Sequence, residues 1–130
     1  MFAALLVAPV AVALRVQTSE DAHVQHERRL ADTALNAQYR RTMDAMVLAD
    51  RTRDDELKKG MTRTDGRSSS QAGLLAAERA WLAYRDAHCV TVGFAYRGGA
   101  YQDEAEGKCI IDLTRKRTLE LKQLSDSLTH

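Results

Sequence analysis

Two segments of the chain gather side chains able to do chemistry. The first runs Glu78-Arg79-Ala80-Trp81-Leu82-Ala83-Tyr84-Arg85-Asp86-Ala87-His88-Cys89 and holds the single tryptophan, a Tyr-Arg-Asp triplet and one of two cysteines; the other cysteine, Cys109, follows twenty positions later. On a helix, residues three and four apart share a face, so Trp81, Arg85, His88 and Cys89 are able to meet the same neighbour. His88 beside Cys89 has the composition of a thiol and its base. Adjacent helical residues point about 100° apart, however, and a disulfide would consume the nucleophile.

The second segment places Tyr101, Asp103, Glu104 and Glu106 between Gly98-Gly99 and Cys109. As a surface, these acids would dock a basic partner. As local structure, they would stabilise the first turn of a helix through its dipole, with Asp103 and Glu106 spaced as a capping box. His23 and His26, three apart with Asp21 and Glu27 nearby, have a spacing that could share a metal ion. A solvated pair near a helix N-terminus is the commoner use of such residues, and we assign no metal or cofactor.

No G-x-S-x-G, P-loop, H-E-x-x-H or Rossmann fingerprint occurs, and the chain reads as a non-enzyme. Nineteen basic against eighteen acidic side chains leave a formal charge of +1, so no overall field draws the protein to nucleic acid or an anionic membrane. Arg115, Lys116, Arg117 and Lys122 are locally basic, but Asp112 and Glu120 intervene, as on a solvated helix face.

The elements that must position these residues are helices. Ala, Leu, Arg, Glu, Asp and Gln are plentiful and proline occurs once, at Pro9. At 130 residues the chain has room for one core. A first helix is expected from about Ser19 to Lys59, capped by Thr18 or Ser19, with a possible break in the charged run 51–56. Leu30, Leu35, Tyr39, Met43, Met46 and Val47 form its apolar stripe. Residues 60–70 read as a polar, mobile connection. A second helix is expected from Gln71 to Tyr96, ended by Gly98-Gly99, with Leu74, Leu75, Trp81, Leu82, Cys89 and Val92 inward. A third runs from Asp103 or Glu104 to Leu128 along a seam of Ile110, Leu113, Arg117, Leu121, Leu124 and Leu128. An arginine in that seam either snorkels to water or takes a carboxylate, for which Asp86 and Glu78 are available.

Residues 1–14 (MFAALLVAPVAVAL) carry no charge and are too short to span a bilayer, which needs about twenty apolar residues. They read as the apolar part of a signal peptide, with Ala11-Val12-Ala13 as a cleavage site; a buried first helix is the alternative. The basic start of a complete leader is missing, which leaves room for a start further upstream. In the oxidising compartment such a leader implies, pairing of two cysteines is the default, and a Cys89–Cys109 bridge would staple a helical hairpin. Two buried free thiols or one reactive cysteine are the alternatives.

Leu35-Asn36 with Tyr39 and Met43, then Ala80-Trp81-Leu82-Ala83-Tyr84-Arg85-Asp86 and Cys89, then Gly98-Gly99, Cys109, Leu113-Thr114 and Arg117 follow one another in an order and spacing that resembles the LprI-like lysozyme-inhibitor domain family. The likeness covers about residues 25–125. It implies a small exported helical domain of bacterial cell envelopes, with a bridge at Cys89 and Cys109. It carries Trp81, Tyr84, Arg85, Asp86 and Arg117 over as structural positions only. Three departures are visible: Glu78 stands where members usually carry glutamine, Ala100 where serine often follows the glycines, and the 60–70 connection is longer and more polar. The name-giving member is a lipoprotein, but no cysteine follows the leader here, so a lipid anchor has no attachment site there.

The expectation is an all-α, small antiparallel helical bundle with a disulfide-stapled helical hairpin: a leader at 1–14 and a single LprI-like domain at 19–130. The implied role is a secreted or periplasmic protein, without a stable membrane anchor after leader cleavage, that occludes a lysozyme cleft. Tyr101, Asp103, Glu104 and Glu106 are its candidate contact residues. The alternative is a cell-envelope interaction module with another protein partner.

Overall fold

Long runs of good helix formers broken only by glycine- and serine-rich stretches become three helices. The computed structural model describes residues 8–129, with side chains from residue 19 onward. Residues 1–7 and the side chains of the rest of the leader read at 1–14 lie outside the described residues, as does His130. Helix α1 spans Ala8–Lys58, α2 spans Ser70–Gly93 and continues as a 3₁₀ turn at Phe94–Tyr96, and α3 spans Gln102–Leu128. No strand occurs among the described residues.

Helix α1 begins earlier than its expected start at Ser19. Nothing between Ala8 and Thr18 breaks a helix, since Pro9 falls in the first turn, where its missing N–H costs no helical bond. It also runs unbroken through the charged segment 51–56 and ends in a Schellman motif. Gly60 (φ +68°) donates to Leu57 O, and Met61 donates to Glu56 O at 2.9 Å. The connection that follows is tied locally: Arg67 N–H donates to Asp65 Oδ1, and Arg53 pairs with the same oxygen at 3.1 Å. The Arg67 N–H is the main reason the Asp65 carboxyl is held below the usual carboxylate range.

The start of α2 is fixed by two residues, one from each side of this connection. Ser69 Oγ accepts from Ala72 N–H, while the Asp50 carboxylate on α1 accepts from the N–H groups of Ser70 (2.7 Å) and Gln71 (3.1 Å). Burial pushes the Asp50 carboxyl up, but these backbone bonds and the Gln71 side chain outweigh it and hold it lowered.

The helices run up, down and up. Thr42 donates to Leu121 O at 3.0 Å and Val24 lies against Gly107, so α1 and α3 are parallel; α2 returns antiparallel to both. Two small apolar clusters form. Val24, Ala31 and Ile111 make one; Leu35, Met46, Leu74 and Leu121 make the other, with Tyr39, Met43 and Trp81 packed against it.

Several expected core residues lie outside. Leu30, Leu75, Leu82 and Val92 are exposed, and so are Leu124 and Leu128. On α2 the buried positions are Leu74, Glu78, Arg85, Cys89 and Gly93. That stripe is narrow because α2 is covered on one side only, and Leu75 and Leu82 lie at its edge, about 55° and 35° round from its centre. On α3 the buried line is Gly107, Ile111, Thr114 and Leu121, with Ile110, Leu113 and Arg117 half-buried beside it. Gly107 permits the close approach of α1, since a Cβ there would come within 2.5 Å of Val24 Cγ1.

Candidate functional site

The Trp-x-x-Tyr-Arg-Asp segment forms a polar layer between the helices. Arg85 is buried and donates through Nε to Asp86 Oδ1 (2.9 Å) and through Nη1 to Thr114 Oγ1 on α3 (3.2 Å) and Asp32 Oδ1 on α1 (3.4 Å). One guanidinium thus joins all three helices. Among the described residues Asp86 bonds no second helix; it is an exposed partner that orients Arg85.

One turn away, Arg117 resolves the exception in the α3 seam. Its Nε donates to Glu78 Oε2 at 2.9 Å and its Nη1 to Glu120 Oε2 at 3.0 Å. Of the two expected partners, Glu78 is the one used. The Trp81 ring lies 5.4 Å from the Arg85 guanidinium and 5.8 Å from that of Arg117. Tyr84 faces outward and stacks on His88 at 5.3 Å, so His88 leaves the shared face of Trp81, Arg85 and Cys89. Cys89 and Cys109 form a disulfide with Cα atoms 5.5 Å apart. His23 and His26 are exposed, and no cluster of three or more metal-ligating side chains occurs among the described residues.

The partners Asp32 and Thr114 escaped sequence reading, as did Gln38 and Thr42, which link α1 to α3 through Leu121 O and Ser125. The available signal was polar residues falling at helical spacing on otherwise apolar stripes. Among the described residues, every buried side-chain nitrogen and oxygen has a hydrogen-bond partner. The buried polar atoms of this layer are thus satisfied within the protein.

The other candidate lies at the apex, where α2 passes into α3 beside the disulfide. Tyr101 is exposed and meets Tyr96 edge to face at 6.4 Å. These two, with Glu104, Ala105 and Lys108, line an open cavity of about 350 Å³. The acids do not form a continuous negative face. Glu104 is paired with Lys108, a bond that raises the lysine pKa. Glu106 accepts from Gln102 Nε2 and lies against Gly93, while Asp103 is exposed. The expected capping box is absent: α3 starts at Gln102, its cap position is Tyr101, and no side chain caps it. Sequence reading also missed Phe94, Tyr96 and Arg97. All three are exposed, and the Arg97 guanidinium sits 4.7 Å from the Phe94 ring.

The apex turn is held by its own bonds. Gly98 (φ +78°) donates to Gln102 Oε1 at 2.9 Å, and Gly99 donates to Tyr96 O at 2.8 Å. The positive φ explains a glycine at position 98.

Fold and site together define a small disulfide-stapled three-helix protein whose sequence motif is spent largely on packing and in which three exposed aromatic residues, Phe94, Tyr96 and Tyr101, gather at one end. The model of the lysozyme inhibitor LprI family matches residues 13–121, and the chain belongs to that family. This is an inhibitor family, not an enzyme family, and it implies a protein partner. An uncharacterized protein of Rhizobium meliloti (strain 1021) is 38% identical over 103 residues, covering 76% of this chain and 66% of its own length. The chain thus spans just under two thirds of that relative. No solved structure matches. The disulfide fits an oxidising compartment, and no helix among the described residues is long and apolar enough to cross a membrane.

Proposed function

We propose that the protein is a secreted or periplasmic lysozyme inhibitor that acts by blocking the substrate cleft, with the disulfide-stapled apex as its contact surface. The observation that carries this reading is the exposed Tyr96–Tyr101 pair on a turn fixed by the Cys89–Cys109 bridge. Occlusion needs no catalytic group, only a surface whose ordering cost has been met before binding. Tyrosine suits that task because it supplies large contact area with two rotatable bonds, and it is enriched at binding hot spots. Family membership supplies the class of partner.

On this reading residues 1–14 are a cleaved leader and residues 19–130 act as one domain. Asp103, beside the tyrosines, favours approach to the basic surface of chicken-type lysozymes. The test is inhibition of muralytic activity by the oxidised mature protein. Loss of cell-wall lysis at stoichiometric inhibitor is expected; full activity of chicken-type, goose-type and invertebrate lysozymes in its presence rejects the proposal. Nonreducing mass measurement of the exported protein checks leader cleavage and the bridge together.

A further inference from the structure

We infer that Arg97 is the residue that enters the lysozyme cleft and pairs with its catalytic carboxyl groups. This inference rests on the inhibitor reading above and names the contact within it. Arg97 follows the 3₁₀ turn and immediately precedes Gly98, within the exposed α2–α3 connection. Its side chain is held against the Phe94 ring and makes no ion pair among the described residues. The arginines of the interior differ, since Arg85 and Arg117 each hold carboxylates. A guanidinium carries five N–H donors in a planar fork that fits a carboxylate in bidentate geometry. Stacking on Phe94 limits the orientations of that fork without using its donors.

The backbone beneath Arg97 is also fixed. Its N–H donates to Phe94 O at 3.2 Å, and the next residue, Gly98, is clamped by the Gln102 side chain, which in turn donates to Glu106. The absence of a side chain at Gly98 and Gly99 keeps the tip thin, and Tyr96 and Tyr101 flank it. The complement of such a tip is a narrow groove with a pair of acids at its floor. Retaining glycosidases have that chemistry, with two carboxyl groups about 5–5.5 Å apart on either side of the scissile bond. A single arginine fork between them would meet both, while the tyrosine rings cover apolar surface along the groove where sugar faces would lie.

The charge pattern agrees in sign around the tip. Arg97 is the cation at the centre, and Asp103 is an exposed acid at the flank. An acidic cleft floor has the opposite sign to the Arg97 tip, so the two match at the centre.

The experiment is a double-mutant cycle between Arg97 and the two lysozyme carboxyl groups, read as binding affinity so that inactive lysozymes remain informative. The oxidised protein and its Arg97→Ala, Arg97→Lys and Arg97→Glu variants are titrated against chicken-type lysozyme. Each is also titrated against lysozyme variants with the catalytic glutamate changed to glutamine and the aspartate to asparagine. Arg97→Ala is expected to weaken binding to unmodified lysozyme on the order of 100-fold. Arg97→Lys should restore part of that loss and Arg97→Glu should deepen it. Against the carboxyl-neutralised lysozymes the Arg97→Ala loss should shrink to a few-fold. Circular dichroism and nonreducing mass confirm folding and the bridge in each variant. Unchanged affinity of Arg97→Ala, or an equal loss against neutralised and unmodified lysozyme, overturns the Arg97 assignment while inhibition by the wild-type protein leaves the functional reading standing. If the wild-type protein binds no lysozyme, both fall.

Discussion

The polar layer at Arg85 and the apex at Arg97 use the same side-chain types in opposite ways. In the layer, Arg85 pairs with Asp32, Asp86 and Thr114, Arg117 pairs with Glu78 and Glu120, and the Trp81 ring lies 5.4 Å and 5.8 Å from the two guanidinium groups. At the apex, aromatic rings lie on the surface and the Arg97 guanidinium packs on Phe94 with no ion pair among the described residues. Satisfied polar groups hold a structure in one arrangement; unsatisfied exposed ones are available to a partner. The dense motif therefore identifies the scaffold, and the sparser segment after it is the contact surface we propose.

The sharpest way to break this comparison is to substitute one residue in each region. Arg85→Ala removes the only side chain of α2 that, among the described residues, bonds both α1 and α3, leaves the Thr114 hydroxyl short of a donor and opens space beside Trp81. A loss of about 3 kcal/mol in denaturant unfolding is expected. Arg85→Met keeps most of the volume and should recover part of that loss. Tyr101→Ala at the exposed apex should leave stability within about 0.5 kcal/mol of wild type while weakening lysozyme binding. If Arg85→Ala were neutral to stability, or Tyr101→Ala unfolded the protein, the division between layer and apex would be wrong.

The disulfide joins the two regions and comes next in size. Closing a loop of twenty residues corresponds to about 3 kcal/mol by chain-entropy arguments, although native strain and residual unfolded structure reduce such values. The Cys89→Ser, Cys109→Ser double variant is expected to lose somewhat less than Arg85→Ala in stability. Because Cys89 is fully buried and its partner lies one helical turn past Glu104 and Ala105, the apex should also lose order. Amide hydrogen exchange should accelerate first at Gly98, Gly99 and Gln102. Uniform acceleration across all three helices would mean that the bridge stabilises the bundle without pre-forming the turn.

The helices and the bridge could be read from the sequence because each is signalled by residue type and spacing, whereas for Arg117 water, Asp86 and Glu78 all stood open until the fold placed Glu78 beside it. The seam of α3 made its arginine conspicuous, and the available acids on α2 were few. The stripe of α2 was misread for a physical reason. Hydrophobicity points to Leu75 and Leu82, whereas the covered face contains Glu78 and Arg85, whose burial is repaid by polar partners, most of them on other helices. Asp32 and Thr114 become recognisable once it is known which face of each helix meets Arg85. The apex was half legible. Tyr101 and the acids drew attention, but the pairing of Glu104 with Lys108 and the packing of Glu106 on Gly93 depend on where α3 begins. That start was placed one or two residues late.

The smallest expected effect lies at the far end of the bundle from the apex and tests whether the two ends are independent. Asp50 on α1 accepts hydrogen bonds from the first N–H groups of α2, the role a capping side chain usually fills from within its own helix. Asp50→Ala should cost about 1 kcal/mol, the usual effect of losing a cap. The native carboxyl pKa is lowered, with burial opposing the backbone bonds that lower it. Its contribution is therefore complete above the unfolded-state pKa, near 3.9, and is lost as pH falls through the lower native value. The stability difference between wild type and Asp50→Ala should be constant at neutral pH and should narrow below about pH 4. Lysozyme affinity at neutral pH should be unchanged in this variant, since α2 remains anchored at its other end by Arg85 and Cys89. A large affinity loss would show that the start of α2 controls the geometry of the apex, coupling two regions that share no direct contact.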